Sequence, residues 1–134
     1  MELAHTYSAT IAAMGALAAL MFIQLLVADV IGLRSGHMPG AQVQSDHDSL
    51  LFRVTRTVGN TNESIAIFVL AVLFCMLGGA SVSTTAYAAW GFVVMRFLYA
   101  VCYYANWQLP RSMMFGMSLL ALAILIGAGV AARF

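Results

Sequence analysis

The sequence predicts an all-α integral membrane protein, a bundle of four transmembrane helices in one domain spanning residues 1–134. Three observations predict it. Of the 134 residues, 63% are hydrophobic and only 8% are charged, whereas a soluble domain carries about 25% charge. Four apolar runs follow one another along the chain, each long enough for the roughly 20 residues a helix needs to cross the hydrocarbon core. The segments between them hold breakers: Gly36, Pro39 and Gly40, then Gly78 and Gly79, then Pro110. The formal net charge is +1, so nothing favours nucleic acid as a partner. Membrane lipids are the expected surroundings, and no internal repeat stands out.

The first run, from Tyr7 to Leu33, is interrupted only by Gln24 and Asp29. It is too long for a signal-peptide core and has no basic segment ahead of it, so it reads as a spanning helix at about 7–33. In the polar loop that follows, Ser45-Asp46-His47-Asp48 has the look of a capping box and places the second helix at about 46–77. The third helix is expected at about 85–106, with Trp90 and Trp107 near its ends as interfacial aromatics. Pro110 suits a first helical turn, which puts the fourth helix at about 110–132.

Arginine placement sets the orientation. Arg34, Arg53, Arg56 and Arg111 belong to the loops, or adjoining helix ends, of one side. The other side has Arg133. Cytoplasmic loops carry the excess of basic residues, so the Arg-rich side is expected to be cytoplasmic, with both termini opposite.

The chemistry concentrates in the second helix. Arg53, Arg56, Asn60 and Glu63 recur at steps of three, four and three. At about 100° per residue they fall within roughly an 80° arc. Ionisable groups at membrane depth are costly and face a partner, a cavity or a ligand. All six basic residues are Arg, the cation that stays charged when buried and grips carboxylates in a bidentate way. In the third helix, Arg96, Tyr99 and Tyr103 share a face.

The topology brings Arg34, Arg53, Arg56, Asn60, Glu63, Tyr99, Tyr103 and Arg111 to one membrane face. A surplus of Arg over one Glu suits a ligand with more than one carboxylate, with an amine for Glu63. Arg96 lies deeper and is expected in a structural ion pair. Asp29 is expected in a structural role. Cys75 and Cys102 read as buried small hydrophobes. His5, His37 and His47 are scattered, and no metal site is expected.

The patterns R-V-x-R-x-x-x-N-x-x-E at Arg53–Glu63 and R-x-x-Y-x-x-x-Y at Arg96–Tyr103, with Arg111-Ser112 opening the fourth helix, resemble the MAPEG family of membrane-associated proteins in eicosanoid and glutathione metabolism. Within it the pattern looks most like the leukotriene synthase and microsomal glutathione transferase members. Gly59 and Tyr99 depart from the prostaglandin-synthase-like ones, which carry Arg and His there.

The resemblance implies a homotrimer that binds glutathione, as co-substrate, between neighbouring subunits near the cytoplasmic face. Arg56, Asn60, Glu63, Tyr99 and Tyr103 match family glutathione contacts. Arg53 belongs to the same motif, and Arg34 matches a basic residue ending the first helix. Arg111 matches the arginine that stabilises the thiolate, which makes it the catalytic candidate. The activity implied is glutathione transfer or peroxide reduction on a lipophilic small-molecule substrate. Two other readings stand beside it: a non-catalytic lipid-binding scaffold of the same family, and a small anion transporter.

Overall fold

The computed structural model describes residues 2–134. A short helix α1 (Glu2–Thr6) precedes four long ones: α2 (Ser8–Arg34), α3 (Leu50–Gly78), α4 (Val82–Tyr104) and α5 (Gln108–Arg133). The long helices contain 27, 29, 23 and 26 residues and are apolar enough to cross a membrane. No strand occurs among the described residues.

Helix ends follow local chemistry. α3 begins at Leu50, four residues beyond the expected start near Asp46. The Asp46 carboxylate accepts the Asp48 N–H at 2.9 Å, and its carbonyl accepts the Ser49 N–H at 3.1 Å. That local turn consumes the run that resembled a capping box. Ser49 is the actual N-cap, its hydroxyl accepting the Phe52 N–H at 3.5 Å.

α3 ends where Gly79 takes φ 72°. The Ala80 N–H then reaches back to the Cys75 carbonyl at 2.9 Å, a Schellman-type closure. Ser81 caps α4, so that helix starts at Val82 rather than near 85. Asn106 provides the left-handed residue of the next turn, at φ 60°, which Asn tolerates better than most side chains. The Trp107 N–H bonds the Cys102 carbonyl at 2.8 Å. This tight reversal sets the start of α5 against the end of α4.

α2 packs on α3 and α4, while α5 packs on α4 and α3. α2 and α5 therefore lie on opposite flanks of the central pair. In the core, the fully buried rings of Phe68 and Phe92 stack at 4.7 Å between α3 and α4. Leu17 of α2 and Leu125 of α5 close on them. Gly129 allows α5 close to α3, since a Cβ there would stand 2.5 Å from the Phe74 ring. The outer face exposes Phe22, Leu33, Leu70, Leu77 and Leu109. Such a surface suits lipid rather than water.

At the end of the bundle holding the N-terminus, the Tyr7 hydroxyl donates to the Ala80 carbonyl. The Trp90 indole donates to the Ala9 carbonyl at 3.0 Å. The Arg-bearing ends of α2, α3 and α5 gather at the other end, with the tyrosine-bearing end of α4.

Candidate functional site

At the Arg-rich end, a cavity of about 230 Å³ opens between α3, α4 and α5. Arg56, Asn60, Tyr99, Tyr103, Arg111, Ser112 and Phe115 line it. It has two guanidiniums, an amide, two phenols and a hydroxyl, but no carboxylate. Helical period brings Arg56 and Asn60 onto one face of α3, and Tyr99 and Tyr103 onto one face of α4. The Asn106 turn adds Arg111, whose guanidinium carbon lies 4.5 Å from the centre of the Tyr103 ring.

Beneath the cavity lies Arg96, fully buried. Its Nη2 donates to Asn60 Oδ1 at 2.8 Å and to the Thr61 hydroxyl at 3.1 Å. Its guanidinium carbon lies 4.7 Å from the Tyr99 ring centre. An arginine can only donate, so these bonds fix the Asn60 amide with its oxygen toward Arg96. The NH2 group, with its two donors, remains for the cavity. The structural ion pair expected for Arg96 is not formed among the described residues. Its only side-chain bonding partners are an amide and a hydroxyl, and Nε and Nη1 have none. A buried cation hydrogen-bonded only to neutral groups adds to the positive field below the cavity.

The four-residue stripe of α3 divides in three. Asn60 turns inward to Arg96. Arg56 Nη1 donates to Glu63 Oε1 at 3.0 Å, in a pair whose side chains are 46% and 61% exposed. Glu63 thus sits outside the cavity lining and partly offsets one arginine at the rim. Arg53 turns away altogether: its Nη1 donates to the carbonyls of His47 and Asp48 at 2.7 and 2.9 Å. The late start of α3 explains this, because Arg53 falls in the first turn, within reach of loop carbonyls that no helix satisfies.

Arg34 is also apart. It is exposed at the end of α2 and makes no hydrogen bond or ion pair among the described residues. α2 lies across the central pair from α5, so Arg34 is on the far flank from Arg111 within one chain. Asp29 lines a different cavity, between α2, α3 and the loop, with His37 and Thr55.

Sequence reasoning missed Ser112 and Phe115 as cavity residues, although Phe115 follows Arg111 at i+4, on the same helix face. Outside the lining, no pattern in the sequence showed where His47 packs. That ring packs edge-on against Phe52 at 5.0 Å and stacks on Tyr103 at 6.1 Å.

The fold and the cavity define a class: a four-helix membrane protein with a cationic, carboxylate-free pocket among three helices at one end of its bundle. The chain belongs to the MAPEG family, whose model matches residues 10–131. Compared with curated proteins, the chain matches none. Family membership supports a glutathione-linked or lipid-metabolic role at the membrane.

Proposed function

We propose that this protein is a membrane-bound glutathione transferase, with peroxidase-like chemistry open to the same site, that activates the glutathione thiolate against a lipophilic electrophile. The observation that carries the reading is the pocket where Arg56, Arg111, Asn60 and Tyr103 converge with no carboxylate in the lining. Glutathione presents two carboxylates, an amine and a thiol. Arg56, the Asn60 NH2 group and the Tyr103 hydroxyl can donate to its carboxylates, and Glu63 at the rim suits its amine.

Arg111 is assigned to the sulfur. A thiol reacts as its thiolate, and a neighbouring guanidinium favours the anion by direct charge attraction. In conjugation the sulfur lone pair forms a new C–S bond, and the electron pair of the bond broken in the electrophile leaves with its other end. The thiol proton goes to water. The electrophile arrives from the bilayer along the apolar helices.

A homotrimer completes the site in this reading. Arg34, unused in its own chain and exposed at the end of α2, reaches a neighbour's pocket. The Arg-rich end is assigned to the cytoplasmic side.

The test is the absorbance of the bound thiolate on mixing protein with glutathione. Arg111→Ala is expected to abolish the thiolate signal while glutathione still binds. An undiminished signal rejects the catalytic assignment. One observation favours a second reading, a non-catalytic lipid-binding member. An apolar groove of about 360 Å³ runs between α4 and α5, lined by Tyr87, Gly91, Met95 and Met117 among others. Absence of any glutathione binding by calorimetry would favour that alternative.

A further inference from the structure

We infer that the seam between α2 and α3 is the face on which a second copy of this chain docks, with Gln24 and Asn62 as the amides that the neighbour's hydrogen bonds satisfy. The inference deepens the assembly proposed above, by naming its surface, and stands apart from the thiol chemistry. Gln24 is only 2% exposed, yet its Nε2 and Oε1 have no hydrogen-bond partner. Buried amides are ordinarily bonded, and leaving one unbonded is costly. Gln24 lines a cavity of about 170 Å³ between α2 and α3, with Met21, Val58 and Asn62 among its walls. Asn62 is exposed. An amide carries two N–H donors, so even a paired contact between these two would leave an N–H over on each.

Depth decides what can cover them. The 29 residues of α3 run for about 43 Å, roughly 13 Å more than the hydrocarbon core. Asn62 lies about 18 Å from the start of α3. The 27 residues of α2 run for about 40 Å, and Gln24 lies about 15 Å from its Arg34 end. Whichever end of each helix projects, both amides stay within the core. Lipid tails offer neither donors nor acceptors, and water is absent from that depth. Protein supplies them, and amides are among the side chains that hydrogen-bond across helices in a membrane. Copies inserted in the same sense present identical residues at identical depth. A neighbour's α3 therefore brings its own Asn62 and Glu63 to the level of Gln24.

The shape of α3 points the same way. Gly59, Glu63, Ala66, Leu70, Leu73 and Leu77 alternate in steps of four and three, the spacing of a helix that packs on its like. Leu70, Leu73 and Leu77 are exposed. The Gln24 cavity flanks this ridge toward α2. Toward α5, a groove of about 300 Å³ is lined by Ile67, Leu70, Phe74 and Ile126. A ridge between two grooves is a surface with which a like ridge can interlock.

The test is sedimentation equilibrium of the full chain in density-matched detergent, with calorimetry of glutathione on the same wild-type sample. Wild type is expected to associate. Gln24→Leu and Asn62→Leu are each expected to lower the apparent association constant about three- to tenfold, as loss of one hydrogen bond between helices in a membrane allows. If Gln24 faces only lipid or trapped water, Gln24→Leu leaves association unchanged, and that result overturns the inference. Disulfide trapping in the membrane locates the face. Ala66→Cys is expected to give a covalent dimer on oxidation, whereas Leu119→Cys, exposed on α5, is expected to give none. The reverse pattern overturns the assignment to α3, and a monomeric wild type overturns the inference outright. Wild type that associates as expected but binds no glutathione overturns the thiol reading and leaves this interface standing.

Discussion

The two ends of the bundle are built from the same helices by opposite means. The N-terminal end is closed by neutral bonds between helices: Tyr7 to the Ala80 carbonyl, Trp90 to the Ala9 carbonyl, and the Cys75 thiol to the Leu125 carbonyl at 3.0 Å. Stacked Phe68 and Phe92 fill the space near them. The other end is held by guanidiniums, each with a different task. Arg96 orients an amide, Arg53 clamps a loop, Arg56 pairs at the rim and Arg111 rests on a phenol. Packing makes one end rigid and dry. At the other, the cavity lining offers more hydrogen-bond donors than acceptors, and the proposed ligand would engage that surplus. If this contrast is right, substitutions at the two ends separate stability from affinity.

The largest expected effect breaks the packed end. Phe92→Ala removes a fully buried ring from the stack and leaves a cavity that neighbouring helices cannot fill. It is expected to cost about 3–5 kcal/mol, read as a fall in thermal unfolding temperature in detergent. Protein that remains folded is expected to bind glutathione as before. A matching loss of affinity would show that the two ends are coupled.

Next in size is Arg96→Met, with the opposite signature. The substitution removes a buried charge that has no carboxylate partner, and exchanging such a group for an apolar one of similar length is often neutral or stabilising. Folding stability is therefore expected to hold or rise. Affinity is expected to fall about tenfold, or about 1.4 kcal/mol, because the Asn60 amide loses the donor that orients it. Calorimetry beside thermal unfolding checks both signs. Lost stability with unchanged affinity would make Arg96 a structural residue only.

This contrast also explains what could be read from the chain. Lipid demands long apolar runs, so the four spans were legible almost to the residue at Arg34, Gly78 and Arg133. Helical period placed Arg56 and Asn60 together, and Tyr99 with Tyr103, because each pair lies on one helix. What period cannot supply is the order of helices around the bundle, which puts α2, and Arg34 with it, on the far flank from Arg111 within one chain. Nor does it tell where an arginine finds unsatisfied carbonyls. The shift of the helix start from near Asp46 to Leu50 left Arg53 beside the loop, a matter of local turn chemistry. Arg96 looked like half of an ion pair because buried charge normally finds an opposite charge. Its partners proved to be Asn60 and Thr61, two polar side chains of the neighbouring helix.

A smaller effect tests the closed end by one bond. Tyr7→Phe removes the hydroxyl and leaves the Ala80 carbonyl unpaired in a buried position. The expected cost is about 1–2 kcal/mol, with glutathione affinity unchanged. Thermal unfolding and calorimetry on the same sample separate the two.

The smallest effect on stability sharpens the open end. The Arg56–Glu63 pair is largely exposed at both partners, and such pairs contribute about 0.2–1 kcal/mol, less in salt. Glu63→Gln is therefore expected to change stability by under about 0.5 kcal/mol. Binding should respond more selectively, because the substitution frees Arg56 for a carboxylate while removing the acceptor for an amine. Glutathione is expected to lose affinity in Glu63→Gln, whereas N-acetylglutathione, which has no ammonium group, is expected to hold or gain. Calorimetry with both ligands measures the difference. Equal losses for the two would place the glutathione amine away from Glu63 and leave that residue only its rim pairing with Arg56.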